Sequence, residues 1–77
     1  MRRFSARLLR EKREAVGLTM AELGVRATLR RGRATEMRHD TIKRYERGER
    51  VPETDSLSAL ADALGCTMED LCSEWGE

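Results

Sequence analysis

Signals that stop and start helices divide this chain into short segments, and they constrain its fold more than any other feature. Gly17 and Gly65 are each followed two residues later by a threonine that opens a capping box, "TMAE" from Thr19 and "TMED" from Thr67. In such a box the hydroxyl accepts a hydrogen bond from a first-turn amide, and an acidic side chain reaches back to the threonine amide. Glycine ends helices because it adopts the left-handed conformation readily. The signals therefore predict several short helices.

Apolar residues recur at helical spacing within the first two segments. Helix one is expected from Phe4 to Val16, ending at Gly17. Helix two is expected to begin at about Met20, with Leu23 and Ala27 facing inward. Within "LRRGRATEMRHD" at positions 29–40, Gly32 is expected to break helix two, and an irregular basic loop is expected to follow it.

Three further helices are expected in the rest of the chain. The third covers residues 41–47, and the fourth covers "TDSLSALADAL" with four inward residues, Leu57, Leu60, Ala61 and Leu64. The fifth opens at the second capping box and places four residues on one apolar face, Met68, Leu71, Cys72 and Trp75. The sequence thus predicts an all-α five-helix bundle. Its 77 residues suffice for one small core, so we expect a single domain over residues 1–77.

Composition argues against several classes of protein. The chain has no apolar run near the length of a membrane span and no signal-peptide core, so a soluble intracellular protein with no membrane partner is expected. Cys66 and Cys72 fit neither a zinc quartet nor a redox pair, so we expect two reduced thiols in or beside the core. With one histidine and no phosphate-cradling glycine motif, we expect no metal, no cofactor and no enzymatic activity.

Charge is distributed unevenly along the chain, although the net charge is only +1. Residues 1–50 hold all 15 lysines and arginines and seven acidic residues, which gives +8, whereas residues 51–77 hold seven acidic residues and no lysine or arginine, which gives −7. This asymmetry predicts that one end of the domain binds a polyanion. A solvated surface whose charges merely segregate is the alternative.

The stretch "DTIKRYERGERVP" concentrates this charge on the third helix. At about 100° per residue, the inward stripe consists of Thr41, Ile42 and Tyr45. The opposite face carries Asp40, Lys43, Arg44 and Arg47. The helix is therefore expected to present a cationic patch outward.

Glu46 lies on the flank of the buried stripe, where a carboxylate is costly without a partner. Arg13 lies one turn from Leu9 on the core-facing side of helix one, so we predict an Arg13–Glu46 ion pair between helices one and three. The alternative is a solvated Glu46 that screens Arg47.

Three blocks in order, "GLTMAEL", "TIKRYERGERVP" and "LSALADALGCTMEDL", resemble the Cro/C1-type helix-turn-helix domain of the xenobiotic-response-element family. The resemblance covers about Phe4 to Leu71. It implies a lambda-repressor-like bundle in which helices two and three form the helix-turn-helix and helix three enters the major groove of double-stranded DNA. It also implies a small transcriptional regulator, with repression favoured, in the cytoplasm at the nucleoid and encoded by a bacterium or phage.

Site residues follow from this resemblance by position. Base-edge contacts are implied at the start and on the exposed face of helix three, at His39, Asp40, Lys43 and Arg44. Phosphate contacts are implied at Arg47 and Arg50. The other implied DNA-contacting residues are Thr19, Met20, Arg38 and Thr41. Arg13 and Glu46 also occupy positions where the family often carries an ion pair.

The chain departs from the family pattern between helices two and three. About eight additional residues separate Leu23 from Thr41, and Arg38 stands where a serine or threonine cap is usual. Asp40 is an alternative cap that would start helix three two residues later and leave His39 outside it. The inserted arm holds Arg26, Arg30, Arg31, Arg33 and Arg38 against Glu36, and we expect it to contact phosphates or the minor groove. A loop whose arginines only maintain solubility is the alternative.

Two kinds of protein partner are also expected. A homodimer on a pseudo-palindromic site would use Cys72 and Trp75 as dimer contacts, unless these residues only close the bundle. Alternatively, the chain is an antitoxin or adaptor whose acidic C-terminal face binds another protein.

Overall fold

The computed structural model describes residues 3–31 and 37–73. In chain order its elements are strand β1 (Arg3–Phe4), helix α1 (Ala6–Ala15), helix α2 (Met20–Arg31), helix α3 (His39–Glu46), helix α4 (Thr54–Leu64), a 3₁₀ helix (Glu69–Leu71) and strand β2 (Cys72–Ser73). The two strands pair antiparallel, with Phe4 opposite Cys72. None of the helices in these ranges is long and apolar enough to cross a membrane.

The prediction for helix one is wrong at its N-terminal end and confirmed at its C-terminal end, where Gly17 follows the cap. Phe4 lies in β1, and the helix begins after Ser5, whose buried hydroxyl accepts a hydrogen bond from the Leu8 amide at 3.2 Å. The Ser5 amide donates to the Leu71 carbonyl at 2.9 Å, so this residue joins the start of α1 to the 3₁₀ helix. At the other end Val16 is the C-cap residue and is 49% exposed.

The structure does not contain the predicted fifth α-helix within residues 67–73. The capping box forms as expected, because the Thr67 hydroxyl accepts from the Asp70 amide at 3.1 Å and the Asp70 carboxylate accepts from the Thr67 amide. It opens only a 3₁₀ helix, after which Cys72 adopts an extended conformation and pairs with β1. A capping box satisfies hydrogen-bonding groups of the first helical turn alone. Beyond that turn the backbone of this chain is extended, because it forms hydrogen bonds with β1. Of the predicted apolar face, Leu71 is buried, Met68 and Cys72 are half-buried, and Trp75 lies outside the described residues.

Each of the four α-helices and the 3₁₀ helix contributes one fully buried large apolar side chain to the core. These residues are Leu9, Leu23, Ile42, Leu60 and Leu71. Helix α2 packs against both α3 and α4, and α1 packs against α3 and the 3₁₀ helix. Of the inward residues predicted in α4, three are buried and Leu57 is half-buried, while Ser56, Ala59 and Ala63 are buried as well. The small residues of α4 let α2 approach closely, since each adds little bulk to the interface.

Gly24 sets the closest approach between α2 and the chain that enters α3. A Cβ atom at this position would lie 2.6 Å from the Met37 carbonyl oxygen, which is closer than such atoms pack. Thr28 holds the same segment, because its hydroxyl donates to the Gly24 carbonyl at 2.8 Å and accepts from the Met37 amide at 2.8 Å. The Met37 side chain is buried in the core. We call these three residues the α2–α3 anchor.

Substitution of Gly24 by alanine is expected to destabilise the fold. Helix propensity alone predicts a gain of about 0.5–1 kcal/mol for this change, whereas overpacking against the Met37 backbone predicts a loss of about 1–3 kcal/mol. The sign of the change in unfolding free energy, measured by urea denaturation, distinguishes the two effects. A Gly24→Ala variant more stable than the parent would show that the anchor yields without cost.

Candidate nucleic-acid interface

Helix α3 has the two faces that its sequence predicts. Ile42 and Tyr45 are buried, and the Tyr45 ring packs edge-on against Phe4 with ring centroids 6.4 Å apart. The opposite face is exposed to solvent and carries Asp40, Lys43, Arg44 and Arg47. We call Lys43, Arg44 and Arg47 the α3 cationic face. Because the apolar side of α3 is held in the core, these cations share one outward surface.

The α3 cationic face borders an open cleft of about 260 Å³ that Asp40 and Glu49 also line. Arg47 and Glu49 approach within 3.7 Å, and both side chains are more than half exposed. An ion pair so exposed is weak, since water screens it and ordering two long side chains has an entropic cost. Arg47 is therefore available to a competing anion such as a phosphate.

Helix α3 begins at His39, so the alternative start with Asp40 as the cap is wrong. Arg38 occupies the N-cap position, and its carbonyl accepts the first helical hydrogen bond from the Ile42 amide at 3.1 Å. The arginine side chain has no oxygen that could cap the helix. The α2–α3 anchor fixes Met37 one residue earlier and thereby sets where the helix starts. Asp40 lies in the first helical turn, where a carboxylate interacts favourably with the helix dipole.

An ion pair between Arg13 and Glu46 holds α3 from behind, as the sequence predicts. Arg13 Nε lies 2.5 Å from Glu46 Oε2, and Arg13 Nη2 lies 3.0 Å from Oε1. Only 11% of the arginine side chain and 3% of the glutamate side chain are exposed. Arg13 Nη1 also donates to the Leu18 carbonyl at 2.9 Å. One guanidinium thus joins α1, the α1–α2 loop and α3.

The hydrogen bonds from Arg13 to Glu46 raise the pKa of Arg13 above its usual value, and burial opposes that shift. Arginine is protonated at any physiological pH, so the guanidinium keeps its positive charge throughout that range. Among the described residues, every buried side-chain nitrogen or oxygen has a hydrogen-bond partner. The carboxylate at the edge of the core is therefore satisfied rather than strained.

The start of α2 forms the first capping box. The Thr19 hydroxyl accepts from the Glu22 amide at 3.1 Å, and the Glu22 carboxylate accepts from the Thr19 amide at 2.9 Å. Hydrogen bonding of the Glu22 carboxylate to the backbone of Thr19, and then to its side chain, lowers the pKa of Glu22. Met20 is half-buried and packs against the core. Part of the Met20 side chain therefore takes part in core packing.

The remaining predicted residues are distributed around this surface. Arg38 and Arg50 are exposed, and Thr41 is half-buried on α3. Arg26 and Arg30 are exposed on α2, which continues to Arg31. Arg33 and Glu36 lie outside the described residues, as does the side chain of Arg31.

Comparison with known proteins identifies the family to which the chain belongs. A model of the helix-turn-helix family matches residues 9–71 of the chain. The chain belongs to the Cro/C1-type helix-turn-helix family.

The Cro/C1-type chain is also similar to a named repressor. It is 31% identical over 71 residues to the cryptic phage CTXphi transcriptional repressor RstR of Vibrio cholerae serotype O1, a match that covers 87% of this chain and 53% of the relative. The chain therefore spans about half the length of that relative. No solved structure matches the chain significantly.

The matched residues contain α2 and α3, which follow one another in the chain. Sequence reasoning located the α3 cationic face and its ion pair, but it missed the anchor formed by Gly24, Thr28 and Met37. The available signal was a glycine inside a helical pattern, which often marks a close contact. Its partner could not be read from the sequence, because the contact spans the connection between α2 and α3.

The cysteines lie away from the α3 cationic face. Cys66 and Cys72 are half-buried and form no disulfide, and Cys66 packs against the core. Burial raises the pKa of Cys66, and the nearby Asp70 carboxylate adds to that shift. Within residues 3–31 and 37–73 no group of histidine, cysteine and acidic side chains is placed to hold a metal ion.

Replacing Glu46 by alanine is expected to destabilise the domain by about 3 kcal/mol, because it leaves the buried Arg13 charge without a carboxylate to neutralise it. Thermal unfolding followed by circular dichroism measures the effect. Glu49→Ala is the matched control, since Glu49 is an exposed carboxylate three residues away, and its change should stay within about 0.5 kcal/mol. Equal melting temperatures for the two variants would remove the ion pair from this account.

Proposed function

We propose that this Cro/C1-type domain represses transcription by binding a specific double-stranded DNA sequence with α3 in the major groove. The observation that carries the proposal is the outward α3 cationic face, held from behind by the buried Arg13–Glu46 ion pair. Because the helix is already fixed in the folded domain, its side chains can contact base pairs without the entropic cost of ordering the helix on binding. The similarity to a phage repressor supports repression as the outcome.

Binding would combine two kinds of contact. Arg47 and Arg50, with Thr19 and Arg38 at the edges of the motif, would contact phosphates and supply affinity that falls as salt rises. Arg44 and Lys43, on the exposed face of α3, would contact base edges. A guanidinium donates two hydrogen bonds to O6 and N7 of guanine, so Arg44 is the residue proposed to select that base. Asp40 and His39, in the first turn of α3, would contact neighbouring bases.

The extension of α2 adds basic side chains near the same motif. Arg26 and Arg30 are exposed on this helix, and we propose that the basic connection to α3, including Arg33, reaches phosphates or the minor groove beside the recognition helix. We further propose that two copies bind a pseudo-palindromic site with half-sites about one helical turn apart, in the cytoplasm of the host bacterium.

A second candidate function is an antitoxin or adaptor whose main partner is a protein. The observation that favours it is the exposed acidic surface of the C-terminal part, formed by Glu53, Asp55, Asp62, Glu69 and Asp70. Such a surface repels DNA and suits a basic protein partner. Co-purification from the native host distinguishes this role from that of a repressor acting alone.

Two arginine substitutions on α3 are expected to have different effects on DNA binding. Once a binding site has been selected from random duplexes, Arg44→Ala should lose about 1–3 kcal/mol of discrimination at one G·C pair. Arg47→Ala should weaken all duplexes alike and reduce the slope of log affinity against log salt by about 1. Fluorescence anisotropy at several salt concentrations measures both quantities.

The control for these variants is Arg10→Ala, which removes the same charge from an exposed position on α1. It should leave base discrimination unchanged. If wild-type protein prefers no duplex at low salt, or if Arg44→Ala retains full discrimination at every position, the proposed mode of recognition is wrong.

A further inference from the structure

Helix α2 carries a second apolar face that points away from the core. Its inward residues include Leu23 and Ala27, which are buried, yet Ala21, Val25 and Leu29 are exposed. Val25 is 60% exposed and Leu29 is 76% exposed, and they are two of the four large exposed hydrophobic residues that the described ranges contain. Spacing of four residues places all three within roughly 80° of one another on the helix surface. We call this stripe the α2 outer face.

The α2 outer face has the ridge-and-groove shape of a surface on which a second helix can pack. Val25 lies between two shallow clefts, one of about 150 Å³ shared with Thr28, Leu29 and Met37, and one of about 280 Å³ shared with Ala21, Glu22 and Arg26. Helices pack when ridges of side chains on one fill grooves on the other. A ridge with a groove on each side is therefore complementary in shape to a second ridge of the same kind.

The charges beside the stripe distinguish between possible occupants. Glu22 and Arg26 are both exposed, and their helical positions place them along the same edge of the stripe. When two copies of a helix pack antiparallel about a two-fold axis, each edge faces the same edge of the other copy in reverse order. With the two-fold axis level with residue 24, one residue from the centre of the stripe, Glu22 of each copy lies opposite Arg26 of the other. A second copy thus matches both the relief and the charge order of this surface.

We propose that the α2 outer face is the surface on which a second copy of this chain docks, with the two α2 helices antiparallel. The inference rests on the pairing of two copies proposed above and assigns it a surface other than Cys72 and Trp75. Cys72 is half-buried in β2, where its backbone pairs with Phe4. The α3 cationic face lies on a different helix and shares no residue with this stripe. The stripe is small beside a typical interface, so the dimer should be weak without DNA.

Sedimentation velocity of the free protein over a range of concentrations tests the proposal. The wild type is expected to associate reversibly, and the double variant Val25→Ser with Leu29→Ser should raise the dissociation constant about tenfold or more. Both residues are exposed, so folding should be retained, and a thermal melt verifies this. Val51→Ser is the matched control, because Val51 is 68% exposed outside α2, and it should leave association unchanged.

Charge exchange tests the antiparallel arrangement. Arg26→Glu and Glu22→Arg each place like charges opposite one another, so either variant alone should be monomeric. Mixed in equal amounts, they should associate, because every facing pair is then of opposite sign. Since Glu22→Arg also removes one capping-box hydrogen bond of α2, its fold is checked by circular dichroism. Should that variant not fold, the serine double variant decides the question.

Three outcomes would overturn this assignment: a wild type that remains monomeric at every concentration, a serine double variant that associates like the wild type, or association abolished by Trp75→Ala and not by the serine variant. DNA binding is tested separately with a duplex that holds a single half-site. The serine double variant should bind it as the wild type does. If the wild type dimerises but binds no duplex, the proposed function fails and the interface stands.

Discussion

The buried ion pair between Arg13 and Glu46 determines how α3 is oriented relative to the rest of the domain. Its two carboxylate oxygens and three guanidinium nitrogens each lie within hydrogen-bond distance of a partner atom, and both side chains are almost fully removed from water. A pair of this kind is weak evidence for net stability, because desolvation offsets much of the attraction. Its effect is geometric. It holds α3 to α1 and to the α1–α2 loop, so that the side of α3 opposite Ile42 and Tyr45 remains outward.

A second constraint keeps the helix-turn-helix arrangement despite the longer connection. The chain rejoins the core at Met37, whose amide is bound by Thr28 and whose carbonyl lies against Gly24. Because these contacts hold the chain immediately before α3, additional residues earlier in the connection need not alter the angle between α2 and α3. A loop insertion is tolerated when the entropic cost of closing the loop is small and its ends are fixed.

Most of the candidate site could be predicted because its determinants are local. The two faces of α3 follow from helical periodicity, and the start of α2 follows from the Thr19–Glu22 capping box. The Arg13–Glu46 pair followed from one further consideration, that a carboxylate beside a core needs a partner. The errors occurred where local signals permit two structures. A capping box stabilises a single turn as well as it stabilises a helix, and Phe4 has helical spacing from Leu8 although it lies in a strand.

The amino-acid sequence by itself determined that helices form at α2, α3 and α4, the sign of charge at each end of the chain and the outward face of α3, because each depends on residues within a few turns of one another. Only the tertiary structure decided that β1 pairs with β2, that α3 begins at His39 and that α2 leaves an apolar face exposed. Those outcomes depend on contacts between residues distant in sequence. The amide that binds Leu71 belongs to Ser5, and the hydroxyl that positions Met37 belongs to Thr28. No local preference encodes such a pairing, since its free energy appears only when the packed elements bring both partners together.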